Sequence, residues 1–292
     1  MTNNQLPTAG KDGVRSYEGQ KPLDEMGTIL FKSWFEKVFK TTVRTTNKVV
    51  QLRGVDLAVN LPGRSGSAGP VGTDLKIDTY LSGNISFELI SQCRGNSKRS
   101  HPAVGWTGKD MPWVTYCFIQ TGEVVFLDMA QVTPWLQDLV SRALEGQPPG
   151  TPEFDYWVSA TPNATYQSYN VMAKISAVLA HCPGAYYLRL MDTLSPEAFA
   201  GFTGAAPKPP LVVSPAAAQC VTPEQLQALM RLSGCYHIKP QLSEDDTEAL
   251  IRWCEQHAKY STKSGVREKG AGLTASRVRR ALACDPVAQL AA

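Results

Sequence analysis

Apolar and polar residues alternate along Val71–Gln92, and this period of two predicts a pair of β-strands. The alternating apolar positions are Leu75, Ile77 and Leu81 in the first arm and Ile85, Phe87 and Leu89 in the second. The residues between the arms, Ser82 to Asn84, are typical of a turn. The pattern therefore predicts a β-hairpin with one apolar face and one polar face.

The register of this hairpin decides which polar side chains meet. A two-residue turn at Gly83-Asn84 would place Asp78 opposite Leu89 and mix polar and apolar residues on both faces. A three-residue turn separates the faces and places Asp78 opposite Glu88. The polar face then carries Asp74, Lys76, Asp78, Glu88 and Gln92. Because like charges directly opposite each other destabilise a hairpin, this pair predicts a divalent cation; the alternative is a solvated face of an antiparallel sheet.

The remaining pattern predicts a mixed α/β layer with one central sheet. Apolar residues at helical spacing predict a helix over 22–40, and Thr133 and Pro134 predict the start of another over 132–144. Strand-like segments are 49–62, 113–129 (two strands around a Thr121-Gly122 turn), 155–159 and 185–191. A further helical segment is predicted over 168–181.

Composition changes divide the chain into four parts. Residues 1–21 are a polar, flexible tail, and 22–200 form the α/β domain. Residues 201–218 are a Pro/Ala-rich linker, and 219–292 a small, basic, all-helical module. Its first helix is predicted to begin at Thr222 as the cap, with Pro223 in the first turn.

The overall composition is that of an ordinary globular protein. A chain of 292 residues can bury a large core, and a net charge of +3 is too small to argue for nucleic acid by itself. No apolar run approaches the ~18 residues of a membrane span, and the N-terminus has no apolar segment of a secretory signal. Seven cysteines without paired spacing predict a reducing cytoplasm. The sequence does not predict an oligomeric state.

The predicted element order and several segments resemble the PD-(D/E)XK nuclease superfamily. Helix 22–40, the hairpin, the strand pair 113–129 and helix 132–144 are similar to its core of helix, three meandering strands, helix and strand. Its motif is an Asp near the bend of one strand, followed by (Asp/Glu)-x-Lys on the next. More narrowly, uncharacterised phage and plasmid members are similar to SGNISFELIS, VGWTGKDMPWVTYCF and GEVVFLDMAQVTPWL.

This resemblance implies a restriction-endonuclease-like fold, with a mixed central sheet flanked by helices, and Mg²⁺- or Mn²⁺-dependent cleavage of DNA. Asp78 takes the position of the motif's Asp and Glu88 its acidic position, and both would hold the metal. Members often add a glutamate from the first helix. Glu25 is the predicted accessory residue, and Glu36 is the alternative.

The motif lysine falls on Ile90, which can neither polarise a water nor stabilise a phosphate transition state. Lys76 lies directly across from Ile90 in the favoured register, so it is the predicted replacement. Gln92 and Lys98 are the alternatives. Without a working lysine, the chain would be an inactive nuclease fold that acts as a DNA-binding, protein-interaction or regulatory factor.

Basic residues predict contact with nucleic acid in two places. The loop after the hairpin interleaves its cations with Trp106 and Trp113, which could stack on bases. Its basic residues are Arg94, Lys98, Arg99, His101 and Lys109. Those of the C-terminal tail are Lys259, Lys263, Arg267, Lys269, Arg277, Arg279 and Arg280. The alternatives are a solvated surface or an acidic protein partner.

Two further groups of residues carry weaker signals. Cys235, His237, Cys254 and His257 could bind zinc, but a small buried thiol suffices at Cys254. Asp56 and Asp128 lie on predicted strands and could add ligands to a metal site, although turn or edge roles are commoner there.

Overall fold

The computed structural model describes residues 17–52, 54–63, 69–93, 103–109, 111–145, 154–162, 166–211 and 220–233, together with Cys254 and Lys259–Tyr260. Several predicted nucleic-acid and zinc residues lie outside this part of the chain: Arg94, Lys98, Arg99, His101, Cys235, His237, His257, Lys263, Arg267, Lys269, Arg277, Arg279 and Arg280. Their predicted roles therefore stay predictions.

The described residues form six α-helices and eleven β-strands. The α-helices are α1 (Tyr17–Phe39), α2 (Lys48–Leu52), α3 (Met129–Leu144), α4 (Ile175–His181), α5 (Pro196–Thr203) and α6 (Pro223–Leu232). The strands are β1 (Val43–Thr45), β2 (Leu57–Val59), β3 (Val71–Asp78), β4 (Asn84–Cys93), β5 (Ala103–Val104), β6 (Trp113–Phe118), β7 (Glu123–Asp128), β8 (Tyr156–Pro162), β9 (Tyr166–Lys174), β10 (Ala185–Arg189) and β11 (Lys259–Tyr260). Within this part of the chain, no helix combines the length and apolar character needed to cross a membrane.

The strands form two sheets. The first sheet has the order β1-β2-β3-β6-β7-β10. It is a mixed sheet, because β3 and β6 are parallel, whereas all the other adjacent strands in it are antiparallel. The second sheet has the order β11-β8-β9-β4-β5. The prediction of a mixed α/β architecture with flanking helices is confirmed in these general terms, but the prediction of one central sheet is wrong.

The predicted hairpin is also wrong, although both of its arms are strands. Asp78 of β3 is paired with Phe118 of β6, and Glu88 of β4 is paired with Asn170 of β9. The chain crosses from the first sheet to the second between the two arms. Ile85 then packs in the core between the sheets, away from the apolar side of β3. Local alternation thus identified the strands, whereas non-local partners decide their pairing.

Two apolar cores hold these layers together. On the outer face of the first sheet, α1 buries Phe31, Trp34 and Phe35 completely. The Trp34 indole stacks on Phe126 with ring centroids 5.9 Å apart, and its Nε1 donates to Oγ1 of Thr193 at 2.8 Å. The second core lies between the sheets and includes Ile85, Phe87, Val114, Tyr116, Val125, Leu127, Tyr169 and Val171.

Several predicted elements agree with the structure. β6 and β7 form the predicted hairpin, with Gly122 at a φ of 70° in its turn. The predicted start of α6 is confirmed by a capping box. The Thr222 hydroxyl oxygen accepts a hydrogen bond from Gln225 N, and the Gln225 side-chain oxygen accepts one from Thr222 N.

Other predicted boundaries are wrong. Residues 168–174 belong to β9, because Tyr169, Val171 and Ala173 alternate into the intersheet core. α2 replaces the start of the predicted strand 49–62. α3 begins at Met129 because the Asp128 carboxylate accepts from Ala130 N, so Pro134 lies inside the helix.

The first helix of the predicted C-terminal module packs on the core. Leu226 and Met230 are buried beside α1, and Gln227 Nε2 donates to the carbonyl oxygen of Phe39 at 3.0 Å. The Trp113 indole donates to Oγ of Ser233 at 2.9 Å, just after α6. Further along, Cys254 is buried in the intersheet core, and β11 extends the second sheet where a helix was predicted.

Replacing Leu226 with alanine tests this packing. Leu226 is 0% exposed, so we expect Leu226→Ala to lower the free energy of unfolding by about 2–5 kcal/mol in denaturant titration. Leu232→Ala is the matched control in the same helix, because Leu232 is 82% exposed and its loss should change stability by less than about 0.5 kcal/mol. Equal effects of the two variants would contradict the packing of α6 on the core.

Candidate functional site

The charged residues of β3 point toward the second sheet. Asp74 and Lys76 leave the strand on one side, because side chains alternate along a strand. Leu75 and Ile77 leave on the other side and pack in the core below α1. Tyr116, the neighbour of Lys76 on β6, belongs to the intersheet core. The polar face predicted for this arm therefore lies between the two sheets.

Asp74 and Lys76 form a close ion pair on this face. Nζ of Lys76 lies 2.7 Å from Oδ2 of Asp74. The Asp74 side chain is only 4% exposed, whereas Lys76 is 29% exposed. The pair thus joins an enclosed carboxylate to a lysine whose side chain is partly exposed.

Asp56 brings a second carboxylate to Asp74. It stands just before β2, where its backbone N donates to Thr73 O at 3.0 Å and its carbonyl accepts from Thr46 N at 3.0 Å. Its Oδ2 accepts from Leu75 N at 2.9 Å, so the carboxylate is fixed against β3. The first sheet therefore presents two neighbouring carboxylates beside one lysine, at β3 and the segment before β2.

Burial and these neighbours shift the protonation of the pair. Burial raises the pKa of Asp74 to about 7; the Lys76 ammonium opposes the rise, and the nearby Asp56 carboxyl adds to it by charge and by hydrogen bonding. Burial disfavours the charge on Lys76, but its ion pair with Asp74 and the carboxylates of Asp56 and Glu88 hold its pKa above the usual value. Lys76 is therefore cationic at neutral pH, whereas the pKa of Asp74 lies close to neutral pH.

Two charged residues of the second sheet and its connection complete the arrangement. Glu88 lies on β4 at a β-bulge, and its carboxylate interacts electrostatically with Lys76 and Lys109. Burial lowers the pKa of Lys109, as does the ammonium of Lys76, while Asp74, Glu88 and Asp56 oppose the shift. We call these five residues the intersheet charge cluster: Asp56, Asp74, Lys76, Glu88 and Lys109.

The residues predicted for the site have different surroundings. Lys76, Glu88 and Lys109 belong to the intersheet charge cluster. Asp78 ends β3, and its carboxylate accepts hydrogen bonds from the Tyr116 hydroxyl at 3.1 Å and Tyr80 N at 2.7 Å. The strand pairing that would set Asp78 opposite Glu88 does not form.

The two glutamates predicted from the first helix lie elsewhere. Glu25 is exposed on α1, and α1 covers the face of the first sheet opposite to that of Asp74. Glu36 accepts a backbone hydrogen bond from Val43 N at 3.4 Å. The accessory role of Glu25 stays a prediction.

Sequence reasoning underrated the two carboxylates that lie beside Lys76. Asp56 precedes β2, and Asp74-Leu75-Lys76 lies on the next strand, so the printed sequence contains an Asp followed by Asp-x-Lys. The predicted hairpin pairing drew attention to Asp78 and Glu88 instead, and that pairing does not form.

The donor set fits a hard divalent cation. Among the described residues, no group of three or more Asp, Glu, His or Cys side chains is placed to hold a metal ion. The candidate ligands are therefore only two, the neighbouring carboxylates of Asp56 and Asp74. Oδ2 of Asp74 is buried and takes no hydrogen bond of regular geometry within that part of the chain; its close contact is the Lys76 ammonium. Mg²⁺ commonly uses one or two carboxylates and takes its other oxygens from water and phosphate, so the pair suits it.

Comparison of the chain with protein-family models, with curated proteins and with solved structures found no match. The assignment of the site therefore depends on the contacts, burial and charges described above.

The raised pKa of Asp74 predicts a pH-dependent cost to folding. The unfolded Asp74 ionises near its ordinary value of 3.8, but the folded carboxyl keeps its proton to about pH 7. Stability therefore falls from about pH 4 to about pH 7, because the unfolded state then binds fewer protons. Without divalent ions, we expect Asp74→Asn to gain stability relative to wild type across this interval and to keep that gain above pH 7.

Denaturant titrations at pH 4.5, 6 and 8 measure this effect. Asp155→Asn is the control, since Asp155 is exposed and its replacement should give a much smaller pH-dependent difference. A stability difference for Asp74→Asn that is the same at all three pH values would contradict the burial of an ionisable Asp74.

Proposed function

We propose that this protein is a Mg²⁺- or Mn²⁺-dependent nuclease that hydrolyses phosphodiester bonds of DNA at the intersheet charge cluster. One observation carries the proposal: the Asp56 carboxylate is fixed beside Asp74, whose side chain contacts Lys76 at 2.7 Å. The motif of the PD-(D/E)XK superfamily is an Asp near the bend of one strand, followed by (Asp/Glu)-x-Lys on the next. Asp56, just before β2, and Asp74-x-Lys76 on β3 have a similar order. Lys76 keeps its predicted role, and Asp56 and Asp74 replace Asp78 and Glu88 as the proposed ligands.

The arrangement of the first sheet supports a restriction-endonuclease-like core. α1 is followed by the antiparallel meander β1-β2-β3, and β6 then lies parallel to β3. The chain departs from the family pattern in the connection to β6. Its described residues form β4, β5 and a short 3-10 turn, where that pattern has a helix.

The side chains of the cluster have separate roles in this proposal. Asp56 and Asp74 would hold the ion, which when bound supplies positive charge next to the scissile phosphate and favours ionisation of the attacking water. Lys76 stays protonated and its side chain is partly exposed, so in this proposal it donates hydrogen bonds to a phosphate oxygen and stabilises the negative charge of the transition state. Because Asp74 must be ionised to bind a cation, activity should rise with pH toward neutrality.

The basic loop and tail would bind the DNA backbone, as their sequence predicts. Lys109 is the member of the loop that lies in the intersheet charge cluster. A reducing cytoplasmic setting is supported by the free thiols of Cys117, Cys182, Cys220 and Cys254.

A second candidate is a non-enzymatic DNA-binding or protein-interaction factor. It is favoured by the same ion pair, because the Lys76 ammonium already neutralises Asp74 at 2.7 Å. In that case the intersheet charge cluster is a structural contact between the sheets, and only the basic residues of the loop and tail bind the DNA or protein partner.

Cleavage of plasmid, linear and branched DNA with Mg²⁺ or Mn²⁺ distinguishes the two candidates. We expect metal-dependent nicking by wild type and a loss of about 100-fold or more in Asp56→Asn, Asp74→Asn and Lys76→Met. DNA retardation by these variants should persist, because the basic residues of the loop and tail that are proposed to bind DNA are unchanged in them. Mg²⁺ should also raise the melting temperature of wild type at pH 8 but not that of Asp74→Asn.

Asp78→Asn is the matched control for the choice of ligands. It is the same substitution two positions after Lys76, and we expect it to keep cleavage within about tenfold of wild type, since Asp78 is bound by Tyr116 and Tyr80. If Asp78→Asn is inactive while Asp56→Asn still cleaves DNA, the result favours Asp78 and Glu88, the ligands predicted from the hairpin, over Asp56 and Asp74. Salt-sensitive retardation without cleavage by wild type would favour the non-enzymatic factor.

A further inference from the structure

Lys109 enters the charge cluster from outside the first sheet. It directly follows the 3-10 turn Trp106–Gly108, and its side chain is half-buried. Lysine is rarely buried without a partner or a function. Its position next to the proposed active site therefore requires an explanation.

The turn that carries Lys109 is fastened to β4 at Glu88. Gly105 N donates to Leu89 O at 2.9 Å, and Trp106 N donates to Oε2 of Glu88 at 3.4 Å. The Thr107 hydroxyl donates to the carbonyl oxygen of Glu88 at 2.6 Å. A Cβ on Gly105 would lie 2.0 Å from that same carbonyl oxygen, so the backbones touch directly. The Glu88 carboxylate therefore has a local task in holding the turn.

The aliphatic stem of Lys109 lies over the loop that presents Asp56. Gly54 has a φ of 91°, and a Cβ there would stand 2.9 Å from Cδ and 3.2 Å from Cβ of Lys109. Gly54 precedes Asp56 by two residues. Lys109 thus extends from the turn fixed at Glu88 to the carboxylates of the first sheet.

The charges of the cluster leave a place for an anion once a cation is bound. Three carboxylates, Asp56, Asp74 and Glu88, face the two ammonium groups of Lys76 and Lys109. A divalent ion held by Asp56 and Asp74 would leave the five residues and the ion with one net positive charge in a partly buried space. The repulsion that Lys76 exerts on Lys109 would be relieved by an anion that both can contact. A phosphodiester has the charge and oxygen acceptors that two lysines bind.

We propose that Lys109 is a second phosphate-contacting residue of this site, and that Glu88 positions it by holding the Trp106–Gly108 turn. The proposal rests on the proposed nuclease function. It assigns the scissile phosphate, or the one next to it, to a site between Lys76 on one sheet and Lys109 on the connection from the other. Glu88 then acts as a positioning residue in place of its predicted role as a metal ligand.

Lys109→Met and Lys109→Arg test this contact in the full-length protein. With an end-labelled DNA duplex and Mg²⁺, we expect Lys109→Met to lower kcat/KM about 10- to 100-fold, and arginine to restore part of the loss. Binding of the same duplex measured from 50 to 200 mM salt should lose about one unit of the log–log salt slope in Lys109→Met. Lys37→Met is the control, because Lys37 is exposed on α1 at the far face of the first sheet.

Glu88→Gln separates positioning from metal binding. Glutamine keeps an oxygen that accepts from Trp106 N, so a positioning role predicts cleavage within about tenfold of wild type at saturating Mg²⁺. A metal ligand would instead lose activity as fully as Asp74→Asn, and that result would overturn the role assigned to Glu88.

The outcomes for Lys109 are distinct from those for the nuclease proposal. Suppose that Lys109→Met cleaves DNA as well as wild type and binds it with the wild-type salt dependence, while Asp74→Asn is inactive. The phosphate contact of Lys109 is then overturned, and the nuclease proposal stands. If wild type does not cleave DNA, the nuclease proposal fails, and the salt slope alone decides for or against a phosphate contact by Lys109.

Discussion

The parallel pairing of β3 with β6 is the constraint on which the rest of the structure depends. Parallel neighbours cannot be joined by a tight turn, so the chain must leave the sheet after Asp78 and return before Trp113. It uses this crossover to begin a second sheet with β4. The face of β3 that carries Asp74 and Lys76 is thereby largely covered by protein, with Asp74 enclosed and Lys76 partly exposed. A polar strand face becomes an enclosed site because of this one pairing.

The enclosure has an energetic consequence that limits how the site can work. Carboxylates taken out of water lose hydration that an ion pair seldom restores in full, which is why buried charges are matched by partners. Here Lys76 matches Asp74 directly, while Asp56 is held by the backbone amide of Leu75. These partners let the carboxylates be buried in the folded protein, and the proposed cation would add a further partner for them. Such a compromise between stability and binding is common at functional sites.

Local chemistry allowed part of the fold to be predicted from the sequence. The β6–β7 hairpin follows from the Thr121-Gly122 turn, and the start of α6 follows from Thr222 and Pro223. The alternation in β3 correctly separated its charged face from its apolar face. The partners of β3 and β4 could not be predicted, because pairing across 40 residues, as between Asp78 and Phe118, leaves no local pattern. Without that information the sequence paired Asp78 with Glu88, whereas the structure places the carboxylates of Asp56 and Asp74 beside Lys76.

The connection between β3 and β6 also sets an order of events during folding. Asp56, Asp74 and Lys76 can come together once β2 and β3 pair, early in synthesis. Glu88 and the turn before Lys109 depend on β4, and β4 finds its long partner only when β9, ending at Lys174, has been made. Contacts of such sequence separation form late, because closing the intervening loop costs entropy. A growing chain thus carries the carboxylates before it can fix the second lysine, and the complete arrangement can form only after the chain has been made at least to Lys174.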